Sequence, residues 1–186
     1  MLLVENIKFG VYMTDNLGKI EELFHRKNRK EALDYFYEGY HAQMKKKYAR
    51  AIEMYQKSIN VSPTPEAHTF LGWAYSFLGE FNSAIDQCQS AIDLDPDFGN
   101  PYNDIGAYLI AQGYYDQAIP YLRQALKAKR YRAYHFAHYN LARVYEHEGN
   151  YLNAYRHYKK ALAHEPRYKI ARLGMDRVLK KIHKAA

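Results

Sequence analysis

The amino-acid sequence predicts an all-α protein built as a stacked array of helix pairs, and three observations carry that prediction. Four segments of about 34 residues align with one another, and the alanines that anchor them, Ala51, Ala84, Ala118 and Ala154, are spaced by 33, 34 and 36 residues. A fixed period of this size means a repeat array rather than one closed core. Within each segment the apolar residues recur at three and four, as in Leu71, Ala74, Tyr75, Leu78 and then Ala84, Ile85, Cys88, Ala91, Ile92, which is the period of a helix with one buried face. Strand-like alternation is nowhere sustained. Gly79, Gly113 and Gly149 mark a turn between the two helices of a unit, and Pro63, Pro96 and Pro166 close a unit.

Taken in chain order, residues 1–31 form an N-terminal extension. Residues 1–12 carry no pattern that assigns them, and 14–31 are expected to be a helix capped by Thr14 or Asp15, with Leu17, Ile20 and Phe24 packing on the first repeat. The repeats follow at 32–64, 65–98, 99–134 and 135–166. Thr64-Pro65 and Asn100-Pro101 read as an N-cap followed by a first-turn proline. Small residues at Gly39, Gly72, Gly106 and Ala142 sit where paired helices approach closely, with Tyr55, Cys88, Leu122 and Tyr158 filling the space beside them. Much of the excess of tyrosine, 20 residues in 186, is thereby explained as packing. Residues 167–186 are amphipathic and basic, with Ile170, Leu173, Val178 and Ile182 along one side and Asp176 where a repeat would carry its small residue. They are expected to be a solvating cap on the last repeat.

The order small, aromatic, Gly, aromatic, Ala, aromatic, Ala, Pro at these spacings resembles the tetratricopeptide repeat over residues 32–166. The resemblance implies a right-handed superhelical solenoid with four helix-turn-helix repeats and a C-terminal capping helix. Three departures stand out: Ala42 replaces the favoured Tyr, Arg130 replaces a closing Pro, and repeat four arrives two residues late after KAKRYRAYHF. The last is expected to disturb the regular stacking of repeat four on repeat three.

The chemistry of the sequence points away from catalysis. It contains no phosphate-binding glycine loop, cysteine pair, nucleophile elbow or paired carboxylates. Cys88, the one cysteine, falls on a core position and reads as a buried thiol. His135 and His138 are spaced to share a helix face, but His138, like His68, occupies a core position of the repeat, so no metal site is assigned. Asp93, Asp95 and Asp97 lack the glycine and glutamate of a calcium loop. No cofactor is expected. Glu5 and Lys8 interrupt the start as a signal peptide, no segment approaches the roughly 18 to 20 apolar residues that span a bilayer, and one cysteine asks for no oxidising compartment. A cytoplasmic protein with no membrane insertion is the expectation.

Net charge is +7 and unevenly spread: residues 1–98 sum to -3 and residues 99–186 to +10, while 65–98 hold six acids and no Lys or Arg. Partners are therefore read from local surfaces. In the family the first helix of each pair lines a concave face that holds peptides. By resemblance the groove positions are Phe36, Tyr40 and Met44, then Trp73 and Phe77, then Asn103, Ala107 and Ala111, then Tyr139, Asn140, Arg143 and His147. That arrangement offers an apolar end with an exposed Trp, a small-walled middle, and an amide with a guanidinium suited to a peptide backbone and a carboxylate. The chaperone-tail clamp known in the family is absent, since Phe36, Tyr40, Phe70, Asn100 and Asp104 stand at its positions. The sequence therefore reads as a non-enzymatic interaction module, a scaffold, adaptor or assembly chaperone for a protein or peptide partner. Two alternatives stay open. Lys127, Lys129, Arg130 and Arg132, interleaved with Tyr131 and Tyr134, form a basic surface suited to single-stranded RNA, and the acidic second repeat suits self-association with the basic half of another copy.

Overall fold

In a computed structural model, the backbone is described for residues 2–185 and the side chains for residues 22–184 except Phe24. Every regular element among the described residues is an α-helix. The chain divides into two compact units, Met1–Pro63 and Thr64–Ala186.

The first unit pairs α1 (Leu2–Met44) with α2 (Tyr48–Val61). One uninterrupted helix replaces the expected start at Thr14 or Asp15. Between Gly18 and Gly39 there is neither glycine nor proline, and Glu31, Ala32 and Leu33 are strong helix formers, so nothing stops the helix before repeat one. The expected packing of Leu17, Ile20 and Phe24 falls outside the described side chains. The pair closes around Ala51, Met54 and Tyr55, all fully buried. Tyr55 donates to Gln43 Oε1 at 2.9 Å, and Ser58 Oγ donates to the Ala32 carbonyl at 2.7 Å. A Cβ on Gly39 would lie 2.8 Å from the Tyr55 ring, so this glycine sets the helix separation. Where the other repeats carry a turn glycine, this one carries Lys46 at φ 58°, a left-handed backbone that a lysine adopts at some cost.

The second unit contains α3 (Pro65–Phe77), α4 (Phe81–Leu94), α5 (Gly99–Ala111), α6 (Tyr115–Lys127), α7 (Tyr134–His147), α8 (Tyr151–His164) and α9 (Lys169–Ala185). Successive helices pack as antiparallel neighbours, and α3, α5 and α7 also meet directly, as do α7 and α9. Gly79, Gly113 and Gly149 take φ of +78°, +86° and +73° in the turns between paired helices. Thr64 caps α3, its hydroxyl accepting from Ala67 N at 3.1 Å.

The expected cap at Asn100 does not form. α5 begins at Gly99 with Phe98 at the N-cap and no side-chain cap bond. The cause lies in the two-residue insertion before repeat four: Arg130 N donates to the Asp97 carbonyl at 2.8 Å, and Phe98 bridges Arg130 in parallel, drawing the insertion onto the start of α5. Tyr131 then lies 1% exposed against Gly99, where an added Cβ would come within 2.4 Å of its side chain. The insertion is packed into the unit as a small cluster of Ala125, Ala128, Tyr131 and Ala137.

The largest core cluster runs from Ala84, Cys88 and Ile92 through Ile105, Leu109 and Leu122 to Leu141 and Val144, and Cys88 is fully buried within it. The C-terminal helix follows the expected stripe only in its second half, where Val178 is fully buried and Ile182 half-buried. Ile170 and Leu173 are exposed, while Ala171 and Val178 are fully buried. Gly174 supplies the small residue that the sequence reading missed: a Cβ there would meet Tyr158 at 2.4 Å, so α9 approaches α8 along its smallest side chains.

Candidate functional site

The first helices of three successive pairs in the second unit, α3, α5 and α7, enclose a pocket of about 410 Å³. Phe70 and Trp73 come from α3, with ring centroids 5.6 Å apart in an edge-on arrangement. Phe136 and Tyr139 come from α7, and Tyr168, in the turn before α9, packs edge-on against both at 5.6 and 5.3 Å. Thr69, Ala107 and Ala133 widen the space between these rings, and Asn100, Asn103, Asp104, Asn140 and the buried insertion residue Tyr131 complete the lining.

A chain of hydrogen bonds runs along the polar side. Arg143 donates to Asn140 Oδ1 at 3.3 Å, Asn140 Nδ2 donates to Asn103 Oδ1 at 3.2 Å, and Asn103 Nδ2 donates to Asp104 Oδ1 at 3.1 Å. The two ends fix the orientation of both amides, because a guanidinium only donates and a carboxylate only accepts. Asp104 has no Lys, Arg or His in ion-pair contact among the described residues. Burial pushes its carboxyl up to about 6, and the Asn103 bond only partly opposes that. The hydroxyl of Tyr131 is likewise unpaired, apart from a weak interaction with the Ala137 amide.

The groove positions expected from the sequence are distributed unequally. Trp73, Asn103, Ala107, Tyr139 and Asn140 line the pocket together. Trp73 is 39% exposed at its rim, and Phe77 extends the aromatic row with its ring centroid 5.7 Å from Trp73. Asn140 is only 6% exposed and spends a donor and an acceptor on Asn103 and Arg143, so it joins α5 to α7 rather than standing open for a peptide on both sides. Arg143 lies over the Tyr139 ring at 5.8 Å. Ala111 is exposed at the end of α5, and His147 is stacked on Tyr115 at 3.6 Å beside the Gly113 turn, away from the pocket lining. Phe36, Tyr40 and Met44 belong to the first unit, where Phe36 packs on Tyr55 at 5.6 Å and Met44 is 50% exposed.

Asp104, Phe136, Tyr131 and Tyr168 were not among the expected groove residues. Asp104 and Asn100 sit on the same face one turn earlier in α5, a signal the spacing contained. Tyr131 and Tyr168 reach the pocket from connections between helices, which no helical period reveals.

The basic surface is altered most. Lys129 pairs with Asp97 at 2.9 Å, and Arg130 pairs with Glu66 at 2.7 Å and with Asp95. Three of the six acids of repeat two thus neutralise two of the four cations of that surface within one chain, leaving fewer charges for either a phosphate backbone or a second copy. Lys127 and Arg132 remain exposed. His138 does not pair with His135; its Nδ1 lies 3.2 Å from Nδ1 of His157, and burial pushes both rings down to about 4, so the pair is neutral near pH 7.

Comparison with known proteins decides the family. Tetratricopeptide repeat models match residues 65–98, 100–131 and 135–168, which is more than half of the chain. The chain belongs to the tetratricopeptide repeat family. Among curated tetratricopeptide repeat relatives, small glutamine-rich tetratricopeptide repeat-containing protein 2 of Mycosarcoma maydis is 37% identical over 83 residues, 44% of this chain and 24% of that protein. Photosystem I assembly protein Ycf3 of Synechococcus elongatus is 29% identical over 119 residues, 54% of this chain and 69% of the relative. Heat shock protein STI1 of Saccharomyces cerevisiae is 29% identical over 96 residues, 50% of this chain and 16% of its own. The chain thus spans about a quarter or less of two of these relatives. Among solved structures, PilF of Pseudomonas aeruginosa superposes with a TM-score of 0.77 at 22% identity, covering 84% of this chain and 71% of its own. MamA gives 0.65 at 24% identity, covering 78% and 84%. Such likenesses show the fold, the all-α superhelical tetratricopeptide repeat class. Tetratricopeptide repeats are interaction and assembly modules, and that coarse role is the one the family supports. No helix among the described residues is long and apolar enough to cross a membrane.

Proposed function

We propose that this chain is a non-enzymatic interaction module, a scaffold, adaptor or assembly chaperone, that captures a segment of a partner protein in the pocket between α3, α5 and α7. The observation that carries this reading is the pocket itself: about 410 Å³ lined by six aromatic residues, with a rim Trp that is 39% exposed. Aromatic residues and arginines dominate interface energies, and Trp73 at the rim and Arg143, bonded to Asn140 of the lining, are residues of those types. The names of relatives such as Ycf3, a photosystem I assembly protein, agree with an assembly role. One free, buried cysteine fits a reducing compartment.

The test is a pull-down from native lysate with wild type beside a Trp73→Ala, Arg143→Glu double variant, with and without nuclease, the retained proteins being identified by mass spectrometry. A protein retained by wild type, insensitive to nuclease and lost from the variant is the expected result. Retention that survives the double substitution but disappears with nuclease would replace the groove by an RNA-binding surface.

A further inference from the structure

We propose that the pocket is selective for a lysine or arginine side chain of the bound segment, with Asp104 as counter-ion and the surrounding rings as walls. The inference rests on the groove reading above and adds to it the chemistry of the captured residue. Three observations carry it. First, Asp104 lines the polar side of the pocket with one oxygen bonded to Asn103 and no cation in contact among the described residues, so a half-buried carboxylate stands there without a counter-ion. A charge held half-buried without a counter-ion is destabilising, and a cation delivered by a ligand offsets that cost.

Second, the rings of Trp73, Tyr139 and Tyr168 present aromatic faces and edges around the same space, and aromatic faces attract ammonium and guanidinium groups. Third, Tyr131 lines the pocket as a residue only 1% exposed, so its ring adds to the apolar wall that would enclose the stem of a long side chain. Lysine and arginine are the side chains that combine a long apolar stem with a head that only donates. The nearby cations are already committed: Arg130 to Glu66 and Asp95, and Arg143 to Asn140 on the Tyr139 ring. Bulk electrostatics works in the opposite direction, since residues 99–186 sum to +10 and attract acidic peptides. A preference for cations must therefore arise locally.

The experiment is a positional-scanning library of acetylated, amidated decapeptides screened against the full chain, followed by fluorescence anisotropy on the selected peptide. The expected outcome is Lys or Arg selected at one position, with at least a tenfold loss when that residue becomes norleucine. Asp104→Asn, which keeps size and shape, should abolish this discrimination, and Asp104→Glu should retain part of it. Selection of an acidic or apolar residue, or equal discrimination by wild type and Asp104→Asn, overturns the assignment while leaving the groove in place if Trp73→Ala still loses all binding. Binding of the selected peptides unchanged by Trp73→Ala overturns both. Light scattering is run in parallel: dimers that Asp104→Asn abolishes would put a lysine of a second copy in the pocket and overturn the assignment to a partner.

Discussion

A carboxylate that costs stability where it stands is the most informative single residue of this protein. Partial burial takes Asp104 from an ordinary 3.8 to about 6, and because the residue is only half-buried the penalty for keeping it ionised in the fold stays below the roughly 3 kcal/mol that the whole shift would represent. The penalty is complete above pH 6 and disappears as the group takes up its proton between about pH 6 and 4. Asp104→Asn should therefore raise unfolding free energy by about 1 kcal/mol at pH 7, with the gain vanishing near pH 4, as followed by urea melts at several pH values. His138 and His157 act in the other direction, because rings held down to about 4 lose their stabilisation as pH falls from 6.5, but they do so equally in both proteins and drop out of the difference. In the sequence Asp104 stood out only as an acid at a position of the chaperone-tail clamp. Its lack of a counter-ion arises from the third dimension, where Arg143 reaches it only through two amides.

Among the elements, α9 shows how a helical period can be legible while only part of its buried stripe is. Amphipathicity marked Ile170, Leu173, Val178 and Ile182 as one face, yet the helix turns Ala171, Gly174 and Val178 inward because the glycine lets its backbone approach Tyr158. Large apolar residues lose to close approach when a tyrosine already fills the groove. Outside the buried stripe, Arg177 donates to Glu146, which also accepts from Tyr158 at 2.7 Å and is thereby held below the usual carboxylate range against the cost of its burial. Val178→Asp should bury an unpaired charge and cost at least 3 kcal/mol, with hydrogen exchange accelerating through α9 and the adjoining face of α8. Leu173→Asp, on a residue 63% exposed, should stay within about 0.5 kcal/mol. Helix starts follow the same lesson: Thr64 was legible because its cap is local, whereas the start of α5 is governed by Arg130, some thirty residues later.

At the scale of the whole chain, the repeat frame was legible because each helix pair restates one pattern, while charge was legible only as a sum. An acidic block followed by a basic half suggested two surfaces for other molecules, yet part of that charge is consumed internally through Glu66, Asp95, Asp97, Lys129 and Arg130. These pairs are exposed, so each contributes little. Arg130→Glu, which adds repulsion to the loss of attraction, should destabilise by about 1 kcal/mol, and 1 M salt should erase most of the difference in a thermal melt. The sole thiol of the protein has a further use. Cys88 lies sealed between α3, α4 and α5, with burial holding it protonated well above its ordinary pKa, so a thiol reagent reaches it only when those helices part. The rate of labelling is thus a built-in clock for the opening of the second unit, and a ligand that bridges α3 and α5 will slow that clock without any probe having to be introduced.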